Sequence, residues 1–206
     1  MTVANEPVEK APLPIVQFGD PVLRLQADEV TADQIASENI QAIIDDMVVS
    51  LKAAGGIGLA APQIGVSMRL FIIKIPESNR VGYGHTPETP LTVVINPRIV
   101  EASTEMRRAP EACLSIRTPD GRGVYEGVVE RPERVVVQGL DRYGNEITIE
   151  GTKLLSRAMQ HEIDHLDGIL FTDLIKEIRD LRICYPVDGR DPVLGMNNFI
   201  RLPDDY

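Results

Sequence analysis

The chain has 206 residues, of which 43% are hydrophobic, and a formal net charge of −10. That length and apolar content suffice for one domain with a sizeable core, while the negative charge argues against specific nucleic-acid binding, which needs clustered Lys and Arg. Two cysteines are too few for a disulfide-stapled secreted scaffold. No apolar run approaches the roughly 20 residues that span a bilayer, and residues 1–14 lack the apolar segment of a signal peptide. We therefore expect a cytoplasmic protein with no membrane partner.

The first half of the chain predicts a tail, one long helix and two strands. Residues 1–12 are expected to form a flexible tail. Thr31 or Asp33 can cap a helix that reaches about Ala54, where two glycines end it, and its apolar residues recur at a spacing that buries one stripe. Residues 70–73 and 93–95 predict strands, the second ended by a turn at Asn96 and the following proline. Between the two strands, residues 76–90 are rich in Pro, Gly and polar residues and predict an exposed loop.

The second half predicts strands followed by a helix. Runs of valine at 128–129 and 135–137 indicate strands, and a turn at 141–145 leads to a return strand at 147–149. A helix is expected from Leu154 to about Leu166. Since these elements do not alternate as βαβ units, the fold class is α+β with mainly antiparallel sheet. We expect residues 13–206 to form one catalytic domain, although the part after about residue 176 carries no motif.

The most chemically specific stretch is residues 161–165, which read HEIDH. Because residues four apart share one face of a helix, His161 and His165 can direct two imidazoles at one metal ion. Glu162, beside them, can take a proton from bound water. The stretch therefore predicts a central metal-binding helix, with strands around it, that activates water to hydrolyse an amide-type bond.

The third metal ligand has to come from elsewhere in the chain. Metzincin proteases place a further His six residues after the second one, but Phe171 stands at that position, which excludes the class. A Glu further along is the ligand in other metallopeptidases, and Glu177 is available. Cys184 and Cys113 are the remaining candidates, because a thiolate binds zinc or iron strongly and a His₂Cys set leaves one position for water. Spacing alone does not choose among these three.

Three motifs in order resemble those of the peptide deformylase family. Residues 56–63 read GIGLAAPQ and resemble its GxGLAAPQ motif, residues 111–115 read EACLS and resemble its EGCLS motif, and residues 161–168 read HEIDHLDG and match its HExDHLxG motif. Residues 19–24 also resemble the family's N-terminal segment. The resemblance extends over roughly residues 14–175.

The resemblance implies a hydrolase of protein biosynthesis that acts in N-terminal methionine processing. Its substrate is the formylmethionine at the start of new polypeptides, from which it removes the formyl group as formate. The metal ligands carried over from the family are Cys113, His161 and His165. Iron(II) is the expected native ion, and zinc, nickel or cobalt can substitute for it.

The resemblance also assigns catalytic roles. Glu162 corresponds to the general acid and base. The amide of Gln63 and the backbone N–H of Leu114 correspond to the donors that stabilise the oxyanion, and such a donor is typically worth about 3 kcal/mol.

The methionine side chain of such a substrate requires an apolar pocket beside the metal. Leu154 and Ala158 lie on the helical face that carries His161, and Ile57 in the glycine motif is a third candidate; each could equally be plain core. Gly58 allows the backbone to approach the substrate closely.

Two features depart from the family pattern or fall outside it. Ala112 replaces the usual Gly of the second motif, and we expect it to be tolerated if its backbone is extended. A transient contact with the ribosome is possible through the C-terminal region, which carries the basic residues Lys176, Arg179 and Arg182. Pro186 and later prolines argue against a long C-terminal helix.

Overall fold

Most of the described residues after residue 57 lie in strands. The structure is a computed structural model that describes residues 10–80, 83–186 and 199–201. The strands are β1 (Gly58–Ala60), β2 (Leu70–Ile75), β3 (Ser78–Arg80), β4 (Gly84–Thr86), β5 (Thr89–Ala102), β6 (Met106–Arg117), β7 (Val124–Pro132), β8 (Arg134–Leu140), β9 (Glu146–Thr152), β10 (Leu181–Pro186) and β11 (Phe199–Arg201). They form sheets of order β1-β2-β5-β8-β9, β11-β10-β7-β6 and β3-β4, with antiparallel neighbours. The result is a single-domain α+β fold with antiparallel sheets, as the order of elements predicted.

The predicted helix of residues 31–54 is two helices. Helix α1 (Ala32–Ile35) begins with a capping box between Thr31 and Gln34, which confirms Thr31 as a cap. Helix α2 (Glu38–Ala54) has its own cap, because the Ser37 hydroxyl accepts a hydrogen bond from a backbone N–H of the next turn. The prediction of one continuous helix was therefore wrong. A serine that bonds to the backbone competes with helix continuation, and the apolar spacing did not reveal this break.

The five-stranded sheet contains the predicted strands around residues 70–73, 93–95, 135–137 and 147–149. However, Asn96 does not end its strand, because β5 continues to Ala102 after a register shift between Ile95 and Arg98. Asn96 has a positive φ of 51°, and its side-chain amide bonds to both the N–H and the C=O of Val30. The residues predicted as a turn thus form an irregularity within a long strand.

Most described residues of the predicted exposed loop, 76–90, are exposed, but the prediction of a loop conformation was wrong. Strands β3 and β4 form a hairpin there, and β5 begins at Thr89. Tyr83 and Thr86 are each only 5% exposed. Because the segment is mostly polar, its composition gave no sign that the Tyr83 side chain is buried.

Helix α3 (Lys153–Leu166) matches the predicted second helix. Its apolar side chains join a core cluster with residues of β2, β5 and β8. A second core lies between α2 and the other face of the five-stranded sheet. Among the described residues, none of the helices is long and apolar enough to cross a membrane. The tail predicted for residues 1–12 falls mostly outside the described residues.

Candidate active site

Cys113 and Leu114 lie where β6 departs from regular pairing with β7. Ala112 pairs with Glu126, but Arg117 pairs with Val124, so three extra residues are accommodated between them. Such a bulge turns side chains out of the alternation of the pleat. Both Cys113 and Leu114 are buried, at 1% and 4% exposure.

The bulge brings the Cys113 thiol to the two histidines of α3. Its Sγ lies 3.2 Å from Nε2 of His165, and one ligand atom each from Cys113, His161 and His165 lie within 4.8 Å of one another. The Phe171 ring, at the position that excluded a metzincin, stacks on His161 with centroids 6.2 Å apart. Among the described residues, Cys113, His161 and His165 form the potential metal site.

The two alternative third ligands lie elsewhere. The Glu177 carboxylate pairs with Arg179 and is 54% exposed. Cys184 is buried in β10, opposite Val124 of β7. Neither belongs to the cluster of potential ligands.

The surroundings shift the pKa values of the two histidines in opposite directions. Burial lowers the pKa of His165 well below 6.5, which leaves the imidazole neutral, the form that binds a metal. Burial opposes the charged form of His161 too, but hydrogen bonds to Cys113 and Glu111 raise its pKa well above 6.5. Metal binding at His161 is therefore expected to release a proton.

Glu162 is the buried carboxylate of the site, only 4% exposed. Its Oε2 has no hydrogen-bond partner. Burial raises the pKa of Glu162 to about 7, so at neutral pH it can both accept and return a proton. Gly58 packs directly against it, because a Cβ at that position would lie 2.8 Å from Cδ of Glu162 and closer still to Oε1.

Gln63 also lies beside Cys113, whereas the Leu114 side chain packs into the second core cluster. The Gln63 side-chain oxygen accepts a hydrogen bond from the Ala60 N–H at 2.8 Å, which fixes the amide. Its Nε2 then points to Cys113 Sγ at 3.5 Å and to the Ser115 hydroxyl at 3.3 Å. A donor N–H is thereby held beside the thiol.

A segment near the N-terminus connects Gln63 and Leu114 through their backbone oxygens. The Val16 N–H donates to the backbone oxygen of Gln63 at 2.8 Å, and Gln17 Nε2 donates to the backbone oxygen of Leu114 at 3.1 Å. Sequence reasoning gave Gln17 no role, and no local pattern could have revealed it, because its partner is 97 residues away.

Sequence reasoning also missed a buried ionic network behind His161. Glu111 accepts hydrogen bonds from Arg131 at 2.6 and 3.0 Å and from Arg157 at 2.6 Å, and it contacts His161 Nδ1 at 2.9 Å. Arg131 also bonds to Asp164 at 2.7 Å. Burial would raise the pKa of Glu111, but the bonds to His161 and Arg131 hold it well below its usual range. The available signal was Arg157, which occurs one helical turn before His161 on a face predicted to be buried.

The residues predicted for an apolar pocket belong to one cluster. Leu154 and Ala158 are each 6% exposed, and Ile57 packs against the same group. Ala112 is not among the described residues with positive φ, so the family's glycine is not needed there for backbone conformation.

The Cys113 thiol of β6, the two imidazoles of α3 and the carboxylate beside them are together the residue types of a hydrolytic metal centre, and they form a potential site of that class. The family model for polypeptide deformylase matches residues 12–180. "Peptide deformylase 2" of Nostoc sp. is 42% identical over 164 residues, which cover 80% of this chain and 86% of the relative. "Peptide deformylase" of Salinibacter ruber is 41% identical over 177 residues, covering 85% and 86%.

Solved structures agree with the sequence comparisons. A class I type b peptide deformylase from Acinetobacter baumannii bound to Met-Ala-Ser superposes with a TM-score of 0.71 at 35% identity, covering 80% of this chain and 99% of that one. The actinonin-bound form gives a TM-score of 0.69 at 34% identity, covering 81% and 100%. The chain belongs to the polypeptide deformylase family, whose members are metal-dependent. It is an enzyme that removes the N-terminal formyl group from polypeptides.

Proposed function

We propose that the chain hydrolyses the formamide of N-terminal formylmethionine on nascent polypeptides at a metal held by Cys113, His161 and His165. The observation that carries this proposal is the buried group of three potential ligands beside Glu162, whose Oε2 has no partner. Helix α3 thus becomes the central metal-binding helix around which the sheets are arranged. A peptide-bound deformylase of similar structure supports a peptide substrate.

The donor set fits a divalent transition metal. One sulfur and two imidazole nitrogens suit iron, zinc, nickel or cobalt, and their number leaves a position for water. When bound, such an ion lowers the pKa of water and polarises a carbonyl oxygen. We propose iron(II) as the native ion; its thiolate ligand would make the enzyme sensitive to air.

Glu162 is proposed to move the proton. Its free oxygen can accept a proton from the attacking water, and a pKa near 7 allows the same group to deliver that proton to the leaving amine. Gly58 leaves the space into which this carboxylate fits. The chain's own residues therefore supply both halves of the proton transfer.

Gln63 and Leu114 are proposed to stabilise the negative charge on the formyl oxygen. The Gln63 amide is fixed by Ala60 and presents N–H groups beside Cys113, so it needs little reorganisation during the reaction. The peptide N–H of Leu114 directly follows Cys113 in the bulge of β6.

The methionine side chain is proposed to lie against Ile57, Gly58, Leu154 and Ala158. The three apolar side chains share one cluster next to the helical turn that carries His161. An unbranched apolar side chain fits such surroundings without an unpaired polar group.

We propose a cytoplasmic enzyme that meets new chains where they emerge from the ribosome. The positive charges that could contact the ribosome are partly neutralised by acidic neighbours. Lys176 pairs with Glu130 at 2.7 Å, and Arg179 pairs with Glu177 at 2.6 Å. Cosedimentation with ribosomes should fall in a Lys176→Ala, Arg179→Ala double variant. Unchanged cosedimentation would contradict a contact through this segment.

The two cysteines provide a direct test of the site. Anaerobically prepared Cys113→Ala should lose bound metal and formate release from formyl-Met-Ala, while Cys184→Ala, which removes an equally buried thiol, should keep both. A metallopeptidase that uses Glu177 as its third ligand would instead retain metal in Cys113→Ala. An Ala112→Gly variant should match the parent protein, and activity found only in that variant would contradict tolerance of Ala112.

A further inference from the structure

The hairpin of β3 and β4 contributes one large side chain to the interior near the site. Tyr83 lies just before β4 and is 5% exposed, within a segment whose other residues are mostly polar. Its hydroxyl donates a hydrogen bond to the backbone oxygen of Pro110 at 2.9 Å. Pro110 immediately precedes Glu111, the carboxylate that contacts His161. The hairpin is thus attached to β6 directly beside the candidate metal site.

The Tyr83 ring belongs to the same cluster as the residues proposed to contact the methionine side chain. That cluster contains Leu154 and Ala158 of α3, with Ile57 packed against it. It also contains Ala109 of β6, which is 3% exposed. Interiors are close-packed, so a ring as large as that of Tyr83 takes up a substantial share of the volume of a cluster that also contains small alanines at 109 and 158.

The hydrogen bond from the Tyr83 hydroxyl holds the ring in one position. A buried tyrosine hydroxyl requires a partner, and the Pro110 carbonyl provides one on β6, three residues before Cys113. Burial raises the pKa of Tyr83 well above its ordinary range, with the charges of Arg157 and Glu111 also acting on it. The ring therefore stays neutral and close to the ionic network behind His161.

We infer that Tyr83 closes the methionine pocket on the hairpin side and limits the size of the first side chain that the enzyme accepts. Tyr83 is thus a specificity-determining residue, and the inference rests on the proposed pocket of Ile57, Leu154 and Ala158. Removing the ring should admit a larger side chain than methionine, because the space it fills would become available to substrate.

The test compares two substrates in one enzyme preparation. The ratio of kcat/KM for formyl-Met-Ala to kcat/KM for formyl-Phe-Ala is measured for the metal-loaded parent protein and for Tyr83→Ala. The ratio should fall about tenfold in the variant, which is the lower end of the change in kcat/KM discrimination expected when the size of an apolar pocket changes. Because both substrates meet the same molecules, partial unfolding of the variant cannot alter this ratio. Equal losses for both substrates would overturn the inference and make Tyr83 a core residue only.

Two further variants sharpen the result. Tyr83→Phe keeps the ring and should keep the parent ratio, whereas Ile147→Ala removes an apolar side chain from β9 that packs on the same cluster and should leave the ratio unchanged. If Tyr83→Ala yields no folded protein, Tyr83→Leu is measured instead. A lower ratio would then support the inference, and equal losses for both substrates would overturn it. Failure of the parent protein to act on formyl-Met-Ala would instead contradict the proposed function itself.

Discussion

Glu111→Gln tests whether the ionic network behind His161 stabilises the protein and its metal site. The carboxylate is 4% exposed and pairs with two arginine side chains, Arg131 and Arg157, that are each 5% exposed. An amide in its place leaves the buried Arg157 guanidinium without a counter-charge and leaves Arg131 with Asp164 alone. Removing one partner of a buried ion pair typically costs about 3–5 kcal/mol, a large part of the roughly 5–15 kcal/mol that holds an ordinary domain together. The orientation of His161 also depends on this carboxylate, so metal affinity should fall by about 10–100-fold.

The assay for Glu111→Gln is denaturant unfolding of the metal-free protein, followed by metal titration. The matched control is Glu101→Gln, since Glu101 pairs with Arg134 at 3.2 Å but is 63% exposed. That pair should be worth no more than about 1 kcal/mol. A loss in Glu111→Gln as small as that in the control would refute the reasoning, because the buried network would then contribute nothing beyond a surface pair.

Three further predictions concern neighbouring features. Gly58→Ala should lower kcat by about a hundredfold, because its Cβ would displace the Glu162 carboxylate; an unchanged kcat would show that the carboxylate moves freely. Gln17→Ala should lower kcat about fivefold with little change in KM, which is the equivalent of one hydrogen bond of about 1 kcal/mol. The control is Gln41→Ala, which loses comparable bonds to backbone carbonyls away from the site and should leave kcat unchanged. Burial raises the pKa of Tyr83, so the unfolded state loses this proton first and stability should fall as pH rises above about 10. Tyr83→Phe should make that fall shallower in urea unfolding between pH 8 and 11, and identical slopes would contradict it.

Features that depend on local spacing could be predicted from the sequence. The helix that carries His161 and His165 follows from apolar periodicity, and their common face follows from a separation of four residues. The turn at 141–145 and its flanking strands follow in the same way. Such patterns are visible because the interacting residues lie close together along the chain.

Features that depend on distant residues could not be predicted in that way. Glu111 and Arg157 come from β6 and α3, so their pairing exists only after the sheet and helix have packed. The anchor of Tyr83 on Pro110 likewise joins two segments 27 residues apart. Spacing alone left Cys113 and Cys184 open as ligands, and it was the resemblance that implied Cys113. The bulge of β6 that brings Cys113 to His165 could not be placed by any spacing rule.

The most direct measurement of the central claim is formate release from formyl-Met-Ala by the parent protein and by Glu162→Gln, with metal content determined on the same anaerobic samples. The claim that Glu162 moves the proton beside a metal held by other residues predicts full metal content in both proteins. It also predicts about a 10²–10⁴-fold lower kcat in the variant. Equal turnover by the two proteins, or no turnover by the metal-loaded parent, would contradict it.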